Sequence, residues 1–126
     1  MASAVADGVK EAGKEAIFLQ PSEADINVLK DLPGFAMGCP AMGAEVIEEM
    51  EMEPFVADVE GISAGKQFGL FGSYGWGDGQ WMRDWVDRMT GAGATIVTGD
   101  GVIAQEYPDD DAIEQCKVLG RALAAI

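Results

Sequence analysis

The stretch Lys66-Gln67-Phe68-Gly69-Leu70-Phe71-Gly72-Ser73-Tyr74-Gly75-Trp76-Gly77-Asp78-Gly79 decides the fold. Its first half, Lys66 to Gly72, is a short apolar run, the pattern of a strand buried on both faces. Ser73 to Gly79 carries glycine at 75, 77 and 79 and reads as a loop. That loop feeds an amphipathic helix with Trp81, Met82, Trp85, Val86 and Met89 on one face, stopped by Gly91 and Gly93. Strand, glycine loop and helix in this order are the building unit of an α/β fold.

The same grammar continues in both directions. Downstream, Ala94 to Thr98 is a further strand, and Gly101 to Gln105 continues it after a Gly-Asp-Gly break. Asp109, Asp110 and Asp111 open a last helix, where their charge suits the dipole, and Ile113, Cys116, Leu119 and Leu123 face its core. Upstream, Phe35-Ala36-Met37-Gly38 is a buried strand candidate. The acidic segment Glu45 to Glu53 reads as loop or frayed helix, and Pro54 as the first residue of a helix carrying Phe55, Val56 and Val59. Ile17-Phe18-Leu19 is a short apolar run closed by Gln20-Pro21-Ser22. Ser22 reads as the N-cap of a helical turn ending near Leu29, with Asp25 in the place of the usual Glu. Ala2 to Ala12 is an amphipathic helix stopped by Gly13. The expectation is one domain over residues 1–126, α/β, with a mostly parallel sheet.

Composition narrows the function. The 126 residues include 22 Asp and Glu against 8 Lys and Arg, a net charge of −14. Such a field repels phosphate backbones and anionic lipid, so it disfavours nucleic-acid and membrane-surface roles and favours basic protein partners. There is no His, which removes the commonest general base and every Ser-His or Cys-His nucleophile. The two cysteines, Cys39 and Cys116, fall in no C-x-x-C pattern and suit a reducing cytoplasm. Gly61-Ile62-Ser63-Ala64-Gly65-Lys66 resembles a Walker loop, yet it is one residue short and lacks the Ser/Thr, so it reads as a surface turn. The run from Glu48 to Glu53 reads as a solvated acidic face rather than a cation site. Met37, Met42, Met50, Met52 and Met89 read mostly as core or rim fillers.

In an open parallel sheet, ligands bind at the loops leaving the carboxyl ends of strands. Two loops here follow apolar strands and combine glycine with large flat or soft side chains, Gly38–Glu45 and Gly72–Gly79. Glycine lets backbone approach a ligand closely, and Trp76 and Met42 could sandwich a planar ring. The competing reading is a pair of ordinary tight turns with Trp76 capping the core.

Gly38-Cys39-Pro40-Ala41-Met42-Gly43, the later Glu53-Pro54-Phe55, and Gly69-Leu70-Phe71-Gly72-Ser73-Tyr74-Gly75-Trp76-Gly77 together resemble the short-chain flavodoxins of bacteria. The resemblance runs from Met1 to the last helix. It implies a flavodoxin-like three-layer sandwich with strand order 2-1-3-4-5 and FMN at the switch point. It further implies that FMN is bound through Pro40, Ala41, Met42, Gly43, Ala44 and Glu45 of the first loop and Ser73, Tyr74, Gly75, Trp76 and Gly77 of the second. Trp76 would stack on one face of the isoalloxazine and Met42 would cover the other. Glu45 would accept the flavin N3 hydrogen, and the Gly43 carbonyl would turn toward N5 when that nitrogen is protonated. A peptide that flips needs tolerance of positive φ, which glycine has. The acidic surface adds a second effect. A unit negative charge ~10 Å away, at an effective dielectric of ~40, costs an added negative charge on the flavin about 0.8 kcal/mol.

The resemblance also has a departure. The family begins with a strand and a Ser/Thr-x-Thr-Gly-Asn-Thr loop that cradles the FMN phosphate at a helix N-terminus. Met1-Ala2 aligns within the first helix, after that loop. The expectation is an N-terminally truncated chain lacking the first, central strand and the phosphate loop. Weak FMN binding follows, because each charge-assisted hydrogen bond of such a loop is worth roughly 1.5–3 kcal/mol. Ile17–Leu19 and Phe35–Gly38 would then flank an empty slot, inviting self-association through exposed strand edges.

The leading reading is an FMN-dependent one-electron transfer protein, an electron carrier and not an enzyme, in the cytoplasm. Its partners are basic-surfaced reductases and oxidoreductases met through a small, steered interface. The alternative is a flavin-free remnant acting only as an acidic protein-docking module. An FMN-dependent reductase ranks last, since no His supplies a proton and Trp76 would cover the ring.

Overall fold

A computed structural model of the 126-residue chain describes residues 1–39, 47–75, 79–106 and 108–126. Among the described residues, five α-helices and four strands follow one another: α1 (Ala2–Glu11), α2 (Ile26–Leu29), β1 (Gly34–Gly38), α3 (Met52–Glu60), β2 (Gln67–Tyr74), α4 (Gln80–Gly91), β3 (Thr95–Ile96), β4 (Val102–Gln105) and α5 (Asp110–Ala124). All pairings are parallel, and β2 is the centre. β1 lies along one side of it, from Gly34 opposite Gln67 to Gly38 opposite Phe71. β3 and β4 share the other side: β3 takes Gln67 and Phe68, and β4 takes Phe71 to Tyr74. The break at residues 97–101 therefore interrupts one strand position without moving the chain to another, as the Gly-Asp-Gly reading expected.

Two cores form because successive strand side chains point to opposite faces. Phe68 and Leu70 of β2 and Met37 of β1 meet Val56 and Val59 of α3 and Trp81, Trp85 and Met89 of α4. On the other face, Ala36 and Phe71 meet Val5 of α1 and Cys116 and Leu119 of α5. The result is a three-layer α/β sandwich. The glycines at 69 and 72 are needed for this closeness: a side chain on Gly69 would strike Leu119. No helix among the described residues is long and apolar enough to cross a membrane.

Several local expectations need correction. Ser22 caps nothing. Pro21–Glu23 form a 3₁₀ turn capped by Gln20, whose N–H donates to the Glu23 carboxylate at 2.9 Å. Asp25 is the N-cap of α2, accepting the Asn27 N–H at 2.9 Å. α3 begins at Met52, so Pro54 is its third residue rather than its first. The Gly61 to Lys66 turn is not a free surface loop. Ser63 is fully buried and donates to the Val59 carbonyl at 2.7 Å, and the buried Lys66 ammonium donates to the Lys30 and Leu32 carbonyls at 2.6 and 2.5 Å. The apolar residues 17–19 form no strand, and they do not pair with β1, in line with the expected empty slot between the two segments.

Candidate functional site

The carboxyl ends of β1 and β2 lie side by side because their register carries Gly38 onto Phe71. Just beyond, the Cys39 N–H donates to the Phe71 carbonyl at 3.1 Å. Gly72 permits that approach, since a Cβ there would overlap the Cys39 carbonyl oxygen. Both candidate loops thus leave one edge of the sheet from adjacent points, which is where open α/β sheets bind ligands.

The loop after β1 is tied at its base. The Glu48 N–H donates to the Cys39 sulfur at 3.4 Å, which holds residues 39 and 48 together. Burial pushes the Cys39 thiol above its usual pKa, with the charge of Glu48 adding to the rise and the Glu48 N–H opposing it. The thiol therefore stays neutral at pH 7, an apolar post rather than a nucleophile. Beyond this tie, the Glu48 carboxylate accepts three backbone N–H groups at the start of α3: Met50 at 2.6 Å, Glu51 at 2.8 Å and Met52 at 2.9 Å. These bonds hold its carboxyl below the usual carboxylate range, Met52 contributing most. The expected solvated acidic face is thus in part structural. Glu53 is also engaged, with Arg88 of α4 at 2.8 Å, and Arg88 bonds Glu60 as well, joining α3 to α4. Neither Glu48 nor Arg88 was among the expected site residues. The signal for Glu48, a carboxylate four residues before Met52, is too common to single out.

The loop after β2 begins later than expected. Ser73 and Tyr74 still belong to the strand, pairing with Ala104 and Gln105. The Tyr74 ring lies against Trp81, with centroids 5.5 Å apart and planes tilted by 49°, and its carbonyl accepts the Glu106 N–H at 2.6 Å. Gly75 has open space where a Cβ would be. Of the predicted site residues, Ser73, Tyr74 and Gly75 are brought to the sheet edge beside Cys39. Pro40, Ala41, Met42, Gly43, Ala44, Glu45, Trp76 and Gly77 lie outside the described residues.

Below this edge, Trp81 and Trp85 are buried with neither indole N–H partnered among the described residues. The described residues fit the ring end of a flat cofactor: two strand ends held together, the Cys39–Glu48 tie and unobstructed backbone at Gly75.

The flavodoxin family matches residues 1–119. The chain belongs to that family. It is 42% identical over 126 residues to a flavodoxin of Clostridium beijerinckii, covering all of this chain and 90% of that protein. To the flavodoxin of Megasphaera elsdenii it is 38% identical over 124 residues, covering 98% and 88%. The solution structure of the two-electron reduced Megasphaera protein superposes with a TM-score of 0.87 over 99% of this chain and 88% of that one. The three-layer fold with its parallel sheet is therefore the flavodoxin fold, and the chain is an FMN-dependent electron-transfer protein, a carrier rather than an enzyme. The docking-only alternative is not favoured.

Proposed function

We propose that FMN is held at the carboxyl edge of β1 and β2, between the loop after Cys39 and the loop after Tyr74. The observation that supports this is the junction of those strands, where the Cys39 N–H meets the Phe71 carbonyl. FMN supplies the one-electron chemistry. This chain's residues supply the rest. Trp76 would stack on the ring and Met42 would cover its other face, excluding water. Glu45 would accept a hydrogen bond from N3–H, and the Gly43 carbonyl would accept one from N5–H. Backbone of Ser73, Tyr74, Gly75 and Gly77 would line the ring, with Pro40, Ala41 and Ala44 in the first loop.

The partners in this reading are redox proteins with basic rims in the cytoplasm. The net charge of −14 supports the first point. Two buried cysteines that form no disulfide suit a reducing compartment. Titration of FMN, followed by flavin fluorescence, tests the site. Saturable quenching is expected, and it should weaken in Trp76→Ala. No quenching, or equal quenching by the variant, would overturn the assignment.

A further inference from the structure

Glu48 commits both its backbone and its side chain to one junction. Its N–H donates to the Cys39 sulfur at 3.4 Å, and its carbonyl accepts the Glu53 N–H at 2.9 Å. Its carboxylate takes the N–H groups of Met50, Glu51 and Met52. The first N–H groups of a helix have no partner within it, so a carboxylate at that place satisfies donors the helix cannot. The junction is continuous with the sheet. Cys39 follows β1, and its N–H reaches the Phe71 carbonyl of β2 at 3.1 Å. Phe71, Cys39, Glu48 and the first turn of α3 therefore form one hydrogen-bonded line. Arg88 extends it to α4 by bonding both Glu53 and Glu60.

Residues 40–46 connect Cys39 to Ile47. The points from which that segment departs and to which it returns are thus set by this line. We propose that Glu48 is a positioning residue for the flavin: its hydrogen bonds, rather than its charge, fix the return of the first loop and with it the placement of Gly43 and Glu45 on the ring. The proposal rests on the site assigned above. Two features separate Glu48 from an ordinary helix cap. A cap needs only its side chain, whereas the Glu48 N–H reaches back to a residue on the far side of the loop. Its neighbour Glu49 carries the same charge, yet that exposed carboxylate makes no hydrogen bond or ion pair among the described residues. Support of this kind matters because a hydrogen bond to the ring weakens steeply as its acceptor moves out of line.

The test compares Glu48→Gln with Glu49→Gln, which removes the same charge one residue away. Without FMN, amide exchange at Met50, Glu51 and Met52 should quicken at least tenfold in Glu48→Gln and stay within twofold in Glu49→Gln. FMN, titrated by flavin fluorescence, should bind Glu48→Gln at least tenfold more weakly and Glu49→Gln within twofold of the parent. The midpoint potential for the first electron should become more negative in Glu48→Gln, because the acceptor for N5–H is less well placed. Loss of a negative charge alone would leave that potential unchanged or make it less negative, the outcome expected for Glu49→Gln. Cys39→Ala removes the other end of the tie without removing a charge. It should move affinity and potential in the same direction as Glu48→Gln, and it carries the test should Glu48→Gln lose the parent's circular dichroism. Equal effects of Glu48→Gln and Glu49→Gln would assign the role to charge and overturn the proposal. Faster exchange at residues 50–52 with the parent's affinity and potential would make Glu48 a helix cap alone, overturning the proposal and leaving the flavin site standing. No saturable quenching by the parent chain would remove the site itself, and this proposal with it.

Discussion

Gly72 and the carbonyl oxygen of Cys39 are in such close apposition that even one methyl group on Gly72 would overlap that oxygen. The Trp81 ring lies on the same side, 3.1 Å from where that methyl would be. Glycine at 72 is thus what lets the ends of β1 and β2 come together where the two loops diverge.

Gly72→Ala should therefore cost stability, because the obstacle is backbone that must shift rather than a side chain that can turn. Overpacking of this kind costs about 1–3 kcal/mol. Urea unfolding measures it. The same displacement should weaken FMN binding, since it separates the roots of both loops. An unchanged unfolding midpoint would show that the strand ends can spread freely.

Glu48 should make stability depend on pH at the acid end. Its carboxyl sits below the ordinary value of 4.5 because it accepts the N–H groups of Met52, Glu51 and Met50. A folded-state pKa lowered in this way gives stability that is present above the unfolded value and lost as pH falls through the folded one. Glu48→Gln should be less stable than the parent at neutral pH, with the gap closing below about pH 4.5. Thermal melts across that range check it, and a gap that persists at the lowest pH would contradict the carboxylate's role.

Lys66→Met should destabilise the fold without touching any nucleotide chemistry. The ammonium is buried and satisfies the carbonyls of Lys30 and Leu32 just before β1. Hydrogen bonds to charged groups contribute about 1.5–3 kcal/mol each, so losing the two is expected to cost about 3–6 kcal/mol. Denaturant unfolding reads this directly, and a stability equal to the parent's would mean that those carbonyls manage without the lysine.

Trp76→Ala should weaken FMN by about ten- to hundredfold, the equivalent of roughly 1–3 kcal/mol of stacking on an aromatic ring. The dissociation constant from flavin fluorescence is the measurement. A constant within twofold of the parent's would remove Trp76 from the site.

How much was legible in the sequence differs between elements. α4 was readable because Trp81, Met82, Trp85 and Met89 repeat at helical spacing, and all four are buried. α5 was readable from Asp109, which accepts the Ala112 N–H at 2.8 Å, and from Cys116 and Leu119. The candidate site was legible as two loops on two strands. Its tie at Cys39 and Glu48 was not, because residues nine apart in sequence show no periodicity.

By itself the sequence determined where the amphipathic helices α1, α4 and α5 fall, that glycine marks both loops, and that the net charge is strongly negative. Those properties are local, set by side-chain spacing, backbone freedom and charge count. Tertiary structure alone decided that residues 17–19 stay out of the sheet while 34–38 join it. A strand exists only when a distant stretch supplies its hydrogen bonds, and β1 finds β2 whereas residues 17–19 face an open groove. It also decided that Lys66 turns inward to two carbonyls, because no spacing rule reveals which backbone groups will lack partners until the chain has folded.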